Sequence, residues 1–186
     1  MLIFSNIVRD YFLKMARLIT YFLFLITVFI SSNVIGQNQT ISPCSGEKYS
    51  QFDFWEGSWN VYNTQNKLIG TNKLIKMQNN CVMQENWESK TSQSRGTSYN
   101  YYNKTDDSWN QVWVDNSGFS LVLKGNLVDG KMILKSDIIK TNKGNYINKI
   151  TWSKNDDGSV TQVWEYINEQ GKVISEAFRG IYKKAI

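Results

Sequence analysis

The sequence predicts an all-β fold, an antiparallel up-and-down β-barrel of about ten strands. Three observations lead there. Past Gln37 the chain alternates β-rich runs with short clusters of Asn, Asp and Gly, among them "NTQNK", "NKTDD", "VDNSG", "VDGK", "TNKG", "KNDDGS" and "NEQGK". These residues suit turns, because Gly reaches positive φ freely and Asx side chains bond the local backbone. The clusters recur at short, fairly even spacing, which is the pattern of a sheet protein built from hairpins. No segment after Gln37 carries a 3.6-residue apolar stripe, and Pro43 is the chain's sole proline.

In chain order, the first element is an export signal. Lys14 and Arg17 precede an apolar run, Leu18 to Ile30, and "SSNVIGQ" follows with Val34 and Gly36 at the −3 and −1 positions of a cut. That is the charged, apolar and cleavable order of a secretory signal peptide, here residues 1–36, with Met15 as an alternative start. The competing reading is a membrane anchor. The run of 13 residues is short for one, since a span needs about 18 or more. No cysteine stands at the cut to carry a lipid, so no stable membrane anchor is expected after cleavage, and the protein is expected in the periplasm or outside the cell. Removal of residues 1–36 takes away Arg9, Lys14, Arg17 and Asp10 and lowers the formal charge from +5 to +3. So small and scattered a charge gives no nucleic-acid footprint.

Residues 37–50 form an N-terminal segment containing Cys44. In an exported chain with two cysteines, Cys44 and Cys81 are expected to bridge. The bridge ties this segment to the sheet, and a loop of about 37 residues implies roughly 3–4 kcal/mol of chain-entropy stabilisation.

Residues 51–186 make the barrel. The strands read 54–63, 67–78, 81–89, 96–103, 108–115, 119–126, 131–140, 145–154, 159–168 and 172–183. Each can pair with the next through a tight turn. Closing the meander removes its exposed edges, and a barrel of that size encloses more space than its own side chains readily fill. A two-sheet sandwich of the same strands is the competing arrangement.

Period-2 alternation assigns the faces. Trp109, Gln111, Trp113 and Asp115 share one side of their strand, and Val160, Gln162, Trp164 and Tyr166 share one side of theirs. Neighbouring runs group Met83, Glu85 and Trp87; Ser98, Asn100 and Tyr102; and Ile150 with Trp152. Such faces mix large rings with amides and carboxylates. A dry core avoids that mixture, because an unpaired buried amide costs about 1–3 kcal/mol. It suits a ligand cavity, where rings supply contact area and polar groups set orientation. The candidate ligand-binding residues are therefore Glu85, Trp87, Asn100, Tyr102, Gln111, Trp113, Asp115, Trp152, Gln162 and Trp164. The competing reading is a filled core in which the amides bond the backbone.

Chemistry is narrowly bounded. The chain has no histidine, which excludes Ser–His and Cys–His nucleophiles and any His-held zinc or haem. No thiolate metal site is left if the cysteines bridge, no phosphate-binding glycine loop appears, and no cofactor is implied. Glu85 and Asp115 are carboxylates on these faces, a pair that could do acid–base work at suitable spacing. No catalytic residue is assigned.

The stretch "QFDFWEGSWNVY", residues 51–62, taken with "NNCVMQENWES", "SYNYYN", "WNQVWVDNSG", "ITWSKNDDGSVTQVWEY" and "FRGIYKK", resembles a family of secreted bacterial domains of unknown function that share a Phe-Asp-Phe-Trp-x-Gly-x-Trp opening. The family looks lipocalin-like, a calycin barrel. The resemblance implies that Trp59, in Gly57-Ser58-Trp59, plugs the closed end. Haem-binding barrels look distantly similar but hold haem through histidine, so that activity does not carry over. The expectation is a small-molecule-binding barrel for an aromatic or amphipathic molecule. Its rivals are an enzyme acting inside the barrel and a structural or interaction module with a filled core.

Overall fold

The computed structural model describes residues 2–31 and 43–185. They divide into two compact units, 1–40 and 41–186. In the first, helix α1 (Leu2–Ser31) carries the basic cluster and much of the apolar run. Among the described residues, no helix is long and apolar enough to cross a membrane. The expected cut after Gly36 lies outside the described residues.

The second unit opens with one helical turn, α2 (Glu47–Ser50), and a 3₁₀ turn, Asp53–Trp55. Eleven strands follow: β1 (Gly57–Tyr62), β2 (Leu68–Met77), β3 (Val82–Ser89), β4 (Arg95–Asn103), β5 (Ser108–Asp115), β6 (Ser120–Val128), β7 (Lys131–Lys135), β8 (Ile139–Thr141), β9 (Gly144–Lys154), β10 (Val160–Ile167) and β11 (Val173–Lys184). Sequential antiparallel pairing runs from β1 to β7, then β7 to β9, β9 to β10, β10 to β11 and β11 back to β1. The result is a closed antiparallel barrel of ten strands, with β8 added beside β9.

Two expectations are corrected here. The strand expected at 131–140 breaks after Lys135, because Ser136 leaves the ladder: its hydroxyl takes the Asn148 amide N–H at 2.9 Å. The chain resumes as β8. The strand expected to begin at 54 begins at Gly57, since residues 53–55 coil into a 3₁₀ turn across the barrel's end.

That turn closes the barrel. Phe52 and Trp55 stack with ring centroids 5.1 Å apart, and Phe52 meets Trp109 at 5.6 Å and Trp152 at 5.2 Å edge-on. Trp59 is fully buried beside them and donates its indole N–H to the Trp55 carbonyl at 2.8 Å. The Lys184 ammonium covers the Trp59 ring at 4.0 Å, a cation–π contact. Lys76 fastens the 3₁₀ turn from β2, pairing with Asp53 at 2.5 Å and donating to the Tyr49 carbonyl at 3.2 Å. Cys44 and Cys81 form a disulfide with Cα atoms 5.1 Å apart, which ties the segment before α2 to the β2–β3 turn.

Candidate functional site

The inward faces follow the alternation. Glu85, Ser98, Asn100 and Gln111 are buried, whereas Tyr99, Val114 and Val122, one residue out of phase with them, are exposed. Both Gln-Val-Trp strands turn their Gln and Trp toward the same interior, because β5 and β10 stand on different arcs of one closed wall.

Four strands contribute one polar cluster. Asn72 on β2 donates to Glu85 Oε1 at 2.7 Å, and Ser98 on β4 donates to Glu85 Oε2 at 2.6 Å. Asn100 donates to Ser98 Oγ at 2.9 Å and to the Met83 carbonyl at 3.1 Å. Gln111 on β5 donates to Asn100 Oδ1 at 2.8 Å. From Gln111 through Asn100 and Ser98, every donor points along the chain of bonds toward the Glu85 carboxyl. These bonds favour its charged form, but Glu85 is only 5% exposed, and loss of hydration outweighs them. Burial pushes the Glu85 carboxyl up to about 7, with Ser98 and Asn72 pulling the other way.

Above this floor the interior is open. A cavity of about 460 Å³ reaches from Glu85, Gln111, Gln162 and Tyr182 to a mouth formed by the β3–β4 turn (Ser89, Thr91, Ser92, Ser94) and by Phe119. Its walls are Trp87, Trp113, Trp164 and Phe178, with Leu121 and Ile150 between them. The Tyr182 hydroxyl donates to Gln162 Oε1, and the Trp164 indole donates to Asn148 Oδ1 at 2.9 Å. Phe119 stacks on Trp164 with centroids 6.3 Å apart.

Glycine explains why so many rings leave space between them. A Cβ on Gly70 would lie 2.2 Å from the Trp87 ring, and one on Gly96 would lie 2.2 Å from the Trp113 ring. Each indole therefore lies against the barrel wall, over a position with no side chain, and does not project across the lumen. On β11, Trp164 pairs with Phe178 and Glu165 with Glu176, so Ala177 is the extra residue of a bulge. Bulges bend a strand and re-aim its side chains, and Ala177 and Phe178 both border the cavity.

Of the residues singled out in the sequence, Glu85, Trp87, Gln111, Trp113, Asp115, Gln162 and Trp164 border this cavity. Asn100, Tyr102 and Trp152 do not. All three sit on inward faces, but nearer the closed end. Asn100 is sealed beneath Ser98 and Gln111. Trp152 packs on Phe52 and Trp55. Tyr102 packs edge-on against Tyr49 at 5.1 Å and donates its hydroxyl to Asp107, which pushes the phenol up to about 12. Alternation shows which side a residue faces, not how deep it lies.

Asp115 borders the cavity but is committed to its own turn. Its Oδ1 accepts the Ser117 N–H at 2.8 Å, the Ser117 hydroxyl at 2.6 Å and the Phe119 N–H at 3.2 Å. The Ser117 hydroxyl leads these in holding the carboxyl below its ordinary value. An acid–base partner for Glu85 would have to be free of such duties.

Several residues of the site carried weaker sequence signals. Phe178 and Tyr182 share the inward phase with Gly180, and Asn72 with Gly70, so alternation in β11 and β2 identifies them. Phe119 belongs to a turn, where no period applies. Among the described residues, no cluster of three or more potential ligands could hold a metal ion.

Fold and site together define an antiparallel β-barrel with a closed aromatic end, a buried polar floor and an open aromatic cavity. No family model matches the chain, and comparison with curated proteins finds no match.

Proposed function

We propose that this protein is an exported barrel that binds a small aromatic or amphipathic molecule in its interior. The observation that carries the reading is the cavity of about 460 Å³, walled by rings and floored by polar side chains. Its volume lies within the range of roughly 300–1,000 Å³ of small-molecule sites. A module with a filled core would have no such space. The Cys44–Cys81 disulfide suits an oxidising compartment, and with the signal-like N-terminus it supports export. The lipocalin-like opening motif fits the same reading, with Trp59 as the closed-end plug. An enzyme inside the barrel is the weaker reading, because Asp115 is occupied by its turn.

The test uses N-phenyl-1-naphthylamine, an uncharged apolar dye whose emission rises on leaving water. The purified protein should bind it saturably, one molecule per chain, with quenching of tryptophan emission. Leu121→Trp enlarges a wall residue into the cavity and should weaken the dye at least about tenfold, a loss of about 1.4 kcal/mol. Absence of saturable binding, or binding indifferent to Leu121→Trp, overturns the proposal.

A further inference from the structure

The cavity holds charge of one sign only. Its lining contains two carboxylates, Glu85 and Asp115, and no lysine or arginine. Asp115 is committed to its turn through Oδ1. Glu85 is different. It is almost fully buried, it borders the cavity, and among the described residues its carboxyl takes part in no ion pair. Buried carboxylates are ordinarily matched by a cation, because leaving one unmatched is costly. The neighbours of Glu85 are neutral donors, Asn72 and Ser98. The cavity it borders is walled by Trp87, Trp113, Trp164 and Phe178, rings whose faces attract a cation and repel an anion.

Resting on the proposed small-molecule reading, we infer that the molecule taken up is a protonated amine on an aromatic or apolar frame, with its ammonium group on Glu85 and its frame between the indoles. The Gln162–Tyr182 pair supplies further oxygen acceptors in the same cavity. An anionic ligand would bring its charge against Glu85 and Asp115 with no basic group in the lining to receive it.

The site should respond to pH. The groups packed on Glu85 are Asn72 on β2, Ser98 on β4 and Tyr182 on β11. Of these only Tyr182 titrates, and burial together with the Glu85 charge keeps its phenol protonated well beyond neutrality. Asp115, at the mouth, is held below its ordinary value and stays ionised above pH 5. With the Glu85 carboxyl at about 7, lowering the pH from about 8 to about 5.5 removes the carboxylate that an ammonium needs. Amine affinity should fall over that interval, by as much as about 30-fold if the protonated site does not bind the ammonium.

Three probes of one shape separate the outcomes: 2-phenylethylamine, 2-phenylethanol and 3-phenylpropionate, each titrated calorimetrically into the full-length protein at pH 8. The amine should bind at least about tenfold tighter than the alcohol, the usual scale of a charge-assisted hydrogen bond, and the carboxylate weaker than both. Acidification should weaken the amine and leave the alcohol unchanged. Glu85→Gln should bring the amine down to the level of the alcohol and abolish the pH dependence. Equal binding of amine and alcohol, preference for the carboxylate, or amine binding indifferent to pH overturns the amine assignment. If the naphthylamine dye still binds in those cases, the cavity reading stands. If neither the dye nor any probe binds, both fall.

Discussion

The Glu85 carboxyl couples the site to the stability of the whole fold. Its folded-state value of about 7 lies above the ordinary 4.5. A raised carboxyl favours the protonated form in the native state, so between these values the folded chain binds more protons than the unfolded chain. Stability must therefore fall as pH rises through the window. Working from a carboxyl at about 7, the native state should lose about 2 kcal/mol between pH 5.5 and pH 8. The window is clean, because the chain has no histidine. The carboxyls of Asp106, Asp107, Asp115 and Asp157 are all lowered and complete their titration below it. Glu85→Gln removes the charge and keeps the shape. It disturbs one of the hydrogen bonds from Asn72 and Ser98, a cost of about 1 kcal/mol. Relative to the wild type, the variant should therefore gain about 2 kcal/mol between pH 5.5 and pH 8, so that the two pH profiles diverge toward high pH. Urea unfolding followed by tryptophan emission at both pH values measures this. In thermal scans the wild-type shift should be about 4–8 °C. A wild-type profile flat across the window, or a Glu85→Gln profile parallel to it, would refute the account of Glu85 as a charge held against its own desolvation.

Two further predictions probe the wall and the plug. A Cβ on Gly96 meets the Trp113 ring, which borders the cavity and can move into it, whereas a Cβ on Gly125 meets the Ile133 carbonyl oxygen of the next strand at 2.0 Å. Gly96→Ala should therefore cost about 1–2 kcal/mol and weaken dye binding, while Gly125→Ala should cost about 3 kcal/mol or more; equal losses in urea unfolding would show that the cavity offers the indole no room. Trp59→Ala removes a fully buried ring and its bond to the Trp55 carbonyl, and should cost about 3–5 kcal/mol by the same assay, with a loss below about 1 kcal/mol contradicting the plug role proposed for it.

What the sequence determined is local. Each strand's alternation is a property of its own backbone, because successive side chains point to opposite faces whatever the neighbours do. Gln111 and Trp113, and Gln162 and Trp164, were therefore legible as inward, and the Asx-Gly clusters marked the turns between strands. The cysteine pair was legible from export logic alone, although its partners lie 37 residues apart. Depth was not legible. Trp113 and Trp152 share the inward phase, yet one walls the cavity and the other packs on Phe52 and Trp55. Distance along the barrel axis depends on register between strands, which no single run encodes. The same holds for Ala177, whose bulge exists only against β10, and for the break after Lys135, set by Ser136 meeting Asn148 on β9. Above all, the convergence of Asn72, Glu85 and Ser98 came from closure and register. Three unremarkable polar residues on three strands became one desolvated group because the pairing set Leu74 and Ser98 on either side of Glu85, and the closed wall removed the water that would otherwise have kept that carboxyl ordinary.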